Sequence, residues 1–126
     1  MKVLIGVPCA QTIEAKTAFS LVQTALDAPC KLDIIFQTGC DVVNNRNLLV
    51  KQAQEGKFSH ILFVDSDMFF EPKALRKMLN RNVDIVGLAA NRRRLPLESV
   101  VNPLETPTSD FFKCKSIGTG VMLIKM

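Results

Sequence analysis

The sequence predicts an α/β protein, a Rossmann-like doubly wound and mainly parallel sheet with helices on both faces. Three observations carry this. Short apolar runs alternate with stretches of helical apolar spacing in the order β-α-β-α-β-α-β. The runs are apolar at successive positions, as strands covered on both sides must be. The connections between them are helical, which is what crossovers between parallel strands require. At 126 residues, 48% of them hydrophobic, the chain suits one domain, 1–126, that buries about two thirds of its unfolded surface.

Residues 2–7 form the first apolar run, broken by Pro8. Ile13, Ala15, Ala18, Leu21, Val22 and Ala25 then recur at helical spacing, which predicts a helix over 12–26 that Asp27-Ala28-Pro29 ends. Residues 31–37 make the second strand and Gly39 ends it. Asp41 is placed to cap a helix over 42–54, stopped by Gly56. The third strand, 60–64, runs into Asp65, and Glu71-Pro72 opens a helix reaching Leu79, since proline is tolerated in a first turn. The fourth strand is expected over 83–89. Residues 95–110 hold three of the six prolines and read as a loop with a short strand near 98–101. The last block, 111–126, reads as a strand pair interrupted by Gly118-Thr119-Gly120, with 121–124 again apolar. Glycines flanking a threonine fit either a bulge or a close backbone approach.

No apolar run approaches the ~18 residues that a membrane span needs, and the start of the chain is too short in apolar residues for a signal sequence. The expectation is a soluble, cytoplasmic protein. The four cysteines are scattered without a C-x-x-C pair, and there is one histidine, so neither a zinc site nor a disulfide framework is implied. The net charge of +4 is uneven. Arg92, Arg93 and Arg94 cluster, and Lys73, Arg76, Lys77 and Arg81 follow one another along the third helix. An anionic partner is expected. Nucleic acid is disfavoured, because the chain lacks Trp and Tyr and its eight Phe fall mostly in apolar runs.

The chemistry concentrates at Asp65-Ser66-Asp67. In extended chain, alternate side chains share a face, so Asp65 and Asp67 project together where a buried strand meets solvent. Like charges so placed make sense around a hard divalent cation, Mg²⁺ or Mn²⁺, whose remaining positions stay open to phosphate oxygens. The alternative is a strand-end turn that caps the next helix. In a doubly wound sheet ligands collect at the carboxyl ends of the strands, where Pro8 and Cys9, Asp65 to Asp67 and the Arg92 cluster all fall. A phosphate-binding G-x-x-x-x-G-K-[ST] loop is absent from the sequence, and Pro8-Cys9-Ala10 replaces the glycine-rich turn of dinucleotide oxidoreductases. Cys9 has no histidine partner, since His60 begins the third strand at the other end of the sheet.

Val7-Pro8, Asn45-Arg46-Asn47, Phe63 to Met68 and Ile117 to Ile124, in this order and spacing, resemble the nucleotide-diphospho-sugar transferases of GT-A fold, nearest the family 2 glycosyltransferases. The resemblance covers essentially the whole chain. It implies that Pro8 and Cys9 touch the nucleotide base, that Asp65 lies near the ribose with Ser66 beside it, and that Asp67 ligates a Mn²⁺ or Mg²⁺ bridging the phosphates of a UDP- or GDP-sugar. It implies further that Arg46 contacts base or phosphates, and that Gly118, Thr119 and Gly120 lie beside the donor sugar and acceptor. Divalent metal stabilises the charge that develops on the departing nucleoside diphosphate. An inverting member also needs a carboxylate base, for which Asp110 is the best placed of Glu98, Glu105 and Asp110. Family domains continue beyond the Gly-x-Gly strand, so the expectation is the donor-binding portion with the acceptor side reduced or missing. A further expectation is self-association through the apolar C-terminal strand. Two other readings stand beside the transferase: a nucleotide- or nucleotide-sugar-binding module without catalysis, and another Mg-dependent nucleotidyl or phosphoryl transferase.

Overall fold

The computed structural model describes residues 1–89, 101–107 and 109–126. The Arg92 to Arg94 cluster, Glu98 and most of the strand expected over 98–101 lie outside the described residues. The elements run β1 (Lys2–Cys9), α1 (Ala15–Leu26), β2 (Lys31–Thr38), α2 (Val42–Glu55), β3 (His60–Val64), α3 (Ala74–Arg81), β4 (Ile85–Gly87), β5 (Asn102–Pro103), β6 (Cys114–Ser116) and β7 (Val121–Lys125). No helix among the described residues is long and apolar enough to cross a membrane.

Five strands form one mixed sheet in the order β2-β1-β3-β7-β4. β1 pairs in parallel with β2 from Lys2↔Lys31 to Cys9↔Thr38, and with β3 from Val3↔His60 to Gly6↔Phe63. Pro8 continues the first strand instead of breaking it. Alternation decides which face each side chain takes. Val3, Ile5, Val7, Leu62, Val64, Val121 and Leu123 pack with Leu21 of α1 and with Ala74, Leu75 and Met78 of α3. Leu4, Ile61 and Phe63 pack on the other face with Leu49 and Ala53 of α2. Helices therefore cover both faces, as expected.

The four alternating strands do not lie side by side as a continuous parallel sheet. β7 inserts antiparallel between β3 and β4, pairing Val64↔Val121 on one side and Gly87↔Met122 on the other. Val121 and Leu123 face one core while Met122 and Ile124 face the second, so this segment is satisfied only where both faces are covered. β7 does not pair with β6, which joins β5 in a separate two-stranded sheet. The backbone of β7 is thus flanked on both sides, and the sheet edges are β2 and β4. β4 itself is three residues long with Ile85 exposed, shorter than the central strand expected over 83–89.

The buried face of α1 is not its most apolar one. Its buried residues are Thr17, Ser20, Leu21 and Thr24, while Phe19 and Val22 are each 57% exposed and Leu26 is 79% exposed. The helical spacing is legible in the sequence, while its buried face combines Leu21 with three hydroxyl side chains that are hydrogen-bonded to backbone. α2 matches expectation more closely: the Asp41 carboxylate accepts from the Val43 and Asn44 amides at 2.9 and 3.2 Å, satisfying two of the four orphan donors of a first helical turn.

Candidate functional site

β1 has β2 on one side and β3 on the other, so the chain leaves β1 in one direction and returns past it to build β3. At such a reversal the loops diverge and leave a crevice beyond the carboxyl ends of the strands. A cavity of about 420 Å³ opens there, lined by Pro8, Cys9 and Ala10 after β1, by Gly39, Cys40, Val42, Asn45 and Arg46 around the start of α2, and by Asp65, Ser66 and Asp67 after β3. Six of the expected site residues, Pro8, Cys9, Arg46, Asp65, Ser66 and Asp67, separated by up to 59 positions (8 to 67), are brought together by the fold.

The acidic loop is held from below by α1. The Ser66 carbonyl accepts from the Glu14 amide at 2.8 Å and from the Thr17 hydroxyl at 3.0 Å. Ser20 takes the Phe70 amide proton at 3.0 Å and returns its own hydroxyl proton to the Phe70 carbonyl at 3.2 Å. Thr24 donates to the Ser20 carbonyl at 2.8 Å. The Met68 amide closes a turn on the Asp65 carbonyl at 3.2 Å. Loop backbone inside a protein must find such partners, and here a stripe of small hydroxyl side chains on α1 supplies them. These positioning residues escaped the sequence reading. The signal was present as Thr17, Ser20 and Thr24 at helical spacing, but polar periodicity is ordinarily assigned to the solvent face.

Arg46 reaches across the cavity from α2. Its Nη2 lies 2.7 Å from Asp65 Oδ1, its guanidinium carbon lies 5.7 Å from the centre of the Phe63 ring, and its buried Nε has no hydrogen-bond partner among the described residues. It is therefore an ion-pair partner within the cavity wall. Its charge neutralises part of the repulsion that Asp65 and Asp67 exert on each other.

The β2–α2 loop is shaped by two residues the sequence reading had not placed in the cavity. Gly39 has φ +149°, a conformation that L side chains rarely adopt, and a β-carbon there would lie 2.7 Å from Asn45 Oδ1. Asn45, almost fully buried, donates from Nδ2 to the Gly39 carbonyl at 3.0 Å. Asn45 thus locks the loop that presents Cys40 and Val42.

Gly120 lies next to the acidic loop without lining the cavity. Its carbonyl accepts the Asp65 amide at 2.8 Å, and a β-carbon on it would meet Met68 Sδ at 2.9 Å. The close approach allowed by this glycine is made by Met68 of the same chain. Gly118 and Thr119 precede it and are likewise absent from the cavity wall. Asp110 lies elsewhere. It borders a second cavity, of about 570 Å³, between β4 and β6, with Ile85, Phe111, Phe112 and Ile117. The structure does not bring Asp110 to Asp65 and Asp67.

Among the described residues no three His, Cys, Asp or Glu side chains gather as a self-sufficient metal cage. Asp65 and Asp67 are hard oxygen donors on one cavity wall. They suit an ion that completes its shell with phosphate oxygens and water. The histidine is remote, starting β3 at the amino end of the sheet, where burial foremost, then Lys125 and the amino terminus, holds its pKa below the ordinary 6.5.

No protein family matches the chain, and no curated protein matches it. It is similar to a solved structure, the crystal structure of A197 from STIV, with a TM-score of 0.61 and 15% identity over 99% of this chain and 65% of that one. The chain spans about two thirds of that protein's length, and at this identity the likeness concerns the fold alone.

Proposed function

We propose that the cavity binds the diphosphate of a nucleotide sugar together with Mn²⁺ or Mg²⁺, and that the chain is the donor-binding portion of a metal-dependent glycosyltransferase with a Rossmann-like, GT-A type fold. The observation that supports this best is the position of Asp65 and Asp67 in a cavity at the reversal point of the sheet, facing Pro8, Cys9 and Arg46. In this reading Asp67 carries the metal, while Asp65, oriented by Arg46, accepts from a ribose hydroxyl. Pro8 and Cys9 border the base. When bound, the metal supplies charge stabilisation to the leaving nucleoside diphosphate. The protein's own contribution is to hold Asp65 and Asp67 at fixed positions through Thr17, Ser20 and Arg46.

The place of Asp110 favours a second reading. With that carboxylate in the other cavity, among the described residues Asp65 and Asp67 are the acids of the site, and neither is spare for use as a base if both serve metal and ribose. A nucleotide-sugar-binding module without transfer accounts for that arrangement. Titration calorimetry with UDP and then GDP, with and without Mn²⁺, tests both. Metal-dependent binding that is lost in Asp67→Ala is expected, and sugar release from a bound UDP- or GDP-sugar onto an acceptor hydroxyl separates transferase from module. Absence of binding by either nucleotide would return Asp65 and Asp67 to the role of a strand-end turn.

A further inference from the structure

Two of the four cysteines border the same cavity. Cys9 is the last residue of β1 and is buried, whereas Cys40 lies just beyond β2 and is exposed. The last rung of the parallel ladder is Cys9↔Thr38, and the Gly39 amide extends it by donating to the Cys9 carbonyl at 3.1 Å. Neighbouring strands run about 4.8 Å apart, which sets Cys9 beside Thr38; Cys40 lies two residues further on in the same cavity wall, so a bridge, which needs roughly 4.4–6.8 Å between α-carbons, requires the loop after β2 to close on Cys9. The Cys9 thiol lies on the β2 side, 3.9 Å from the carbonyl of Gln37, three residues before Cys40. Between the ladder and Cys40 stands Gly39, whose backbone freedom lets Cys40 swing over the end of β1 once the Asn45 hydrogen bond yields. The other two cysteines are differently placed. Cys30 packs against the core below β2, where burial raises its pKa above the ordinary 9.0, and Cys114 borders the second cavity.

We propose that Cys9 and Cys40 are a reversible dithiol–disulfide pair, a modification site at the mouth of the cavity that a low-molecular-weight disulfide of the glutathione type oxidises. The exposed Cys40 thiolate attacks the small disulfide, forming a mixed disulfide and releasing one glutathione thiolate. Cys9, as thiolate, then attacks Cys40 Sγ, the protein disulfide forms and the second glutathione departs. Two protein thiols are oxidised, one glutathione disulfide is reduced to two thiols, and the two thiol protons end on glutathione. Bridging draws the β2–α2 loop over Pro8 and Cys9 and narrows the opening between Cys40 and Asp65. That last consequence for ligand binding rests on the reading of the cavity given above; formation of the bond does not.

The test is intact-mass and non-reducing peptide mapping of the full chain after incubation with glutathione disulfide, followed by dithiothreitol. The expected result is loss of two of the four thiols, a linked peptide pair carrying Cys9 and Cys40, and full recovery on reduction. The Cys30→Ser/Cys114→Ser variant should behave the same way, and Cys9→Ser should stop at a glutathione adduct on Cys40. Retention of all four thiols, a stable glutathione adduct on Cys40 of the unaltered chain, or linkage of Cys40 between two chains would overturn the proposal. Failure of the reduced protein to bind nucleotide would remove the functional reading while leaving the mapped bond standing.

Discussion

Helices α1 and α2 cover opposite faces of one sheet and meet it in opposite ways. α2 covers: Leu49 and Ala53 are fully buried against Leu4, Ile61 and Phe63, and a β-carbon on Gly6 would lie 3.0 Å from Leu49. Its first turns add Asn45 and Arg46 directly to the cavity. α1 holds: apart from Leu21, its buried side chains are Thr17, Ser20 and Thr24, and two of the three bond the backbone of residues 66–70. It lines none of the cavity, yet it fixes the loop that carries Asp67. A helix can therefore be recruited to a fold by the backbone groups it satisfies as well as by the apolar area it removes from water.

The comparison is broken most strongly at Leu49. Leu49→Ala should cost about 2–5 kcal/mol, because a fully buried leucine leaves a cavity between helix and sheet, and chemical denaturation reads this directly. A loss under 1 kcal/mol would mean that α2 contributes little by coverage. Ser20→Ala is the matching change in α1. It strands the Phe70 amide and carbonyl, an expected loss of about 1–3 kcal/mol, with faster hydrogen exchange at the Phe70 amide and weaker nucleotide binding. Unchanged exchange there would show that α1 does not hold the loop. Phe19→Ser with Val22→Thr alters the outward face of α1 and should shift stability by no more than about 0.5 kcal/mol; sedimentation of the same variant checks whether that face carries self-association. The shallowest effect belongs to His60, away from both helices. Folding holds its pKa below the ordinary 6.5 and so favours the neutral ring. Its contribution is present above pH 6.5 and declines as pH falls through the folded pKa. His60→Gln should flatten that slope in pH-dependent melting.

Much of the fold was legible one segment at a time. Apolar runs located β1, β2 and β3 to within two residues, Asp41 announced the start of α2, and glycines at 39 and 56 marked the ends of elements. The region after Gly87 was less so. Val121 to Ile124 is an apolar run whether it ends a hairpin or fills a slot in a sheet, and its slot between β3 and β4 follows from the covering of both its faces. The cavity wall divides in the same way. Asp65 and Asp67 line one wall as the sequence suggests, but through a turn after the end of β3 and not by strand alternation, and Pro8 and Cys9 lie where the rule for carboxyl ends puts them. The Arg46 to Asp65 pair spans 19 positions and depends on where α2 lies over β3.

By itself the sequence determined what is local: the period of each segment, the capping of α2, the place of the two carboxylates just after a buried strand, and the helical connections that require parallel strands. Those are consequences of backbone geometry over a few residues. Tertiary structure alone decided the phase of α1, the insertion of β7, the burial of Arg46 against Phe63 and the separation of Asp110 from Asp65 and Asp67. Each of these is set by which distant group satisfies a hydrogen bond, a charge or an apolar face, and that choice exists only once the chain has closed on itself.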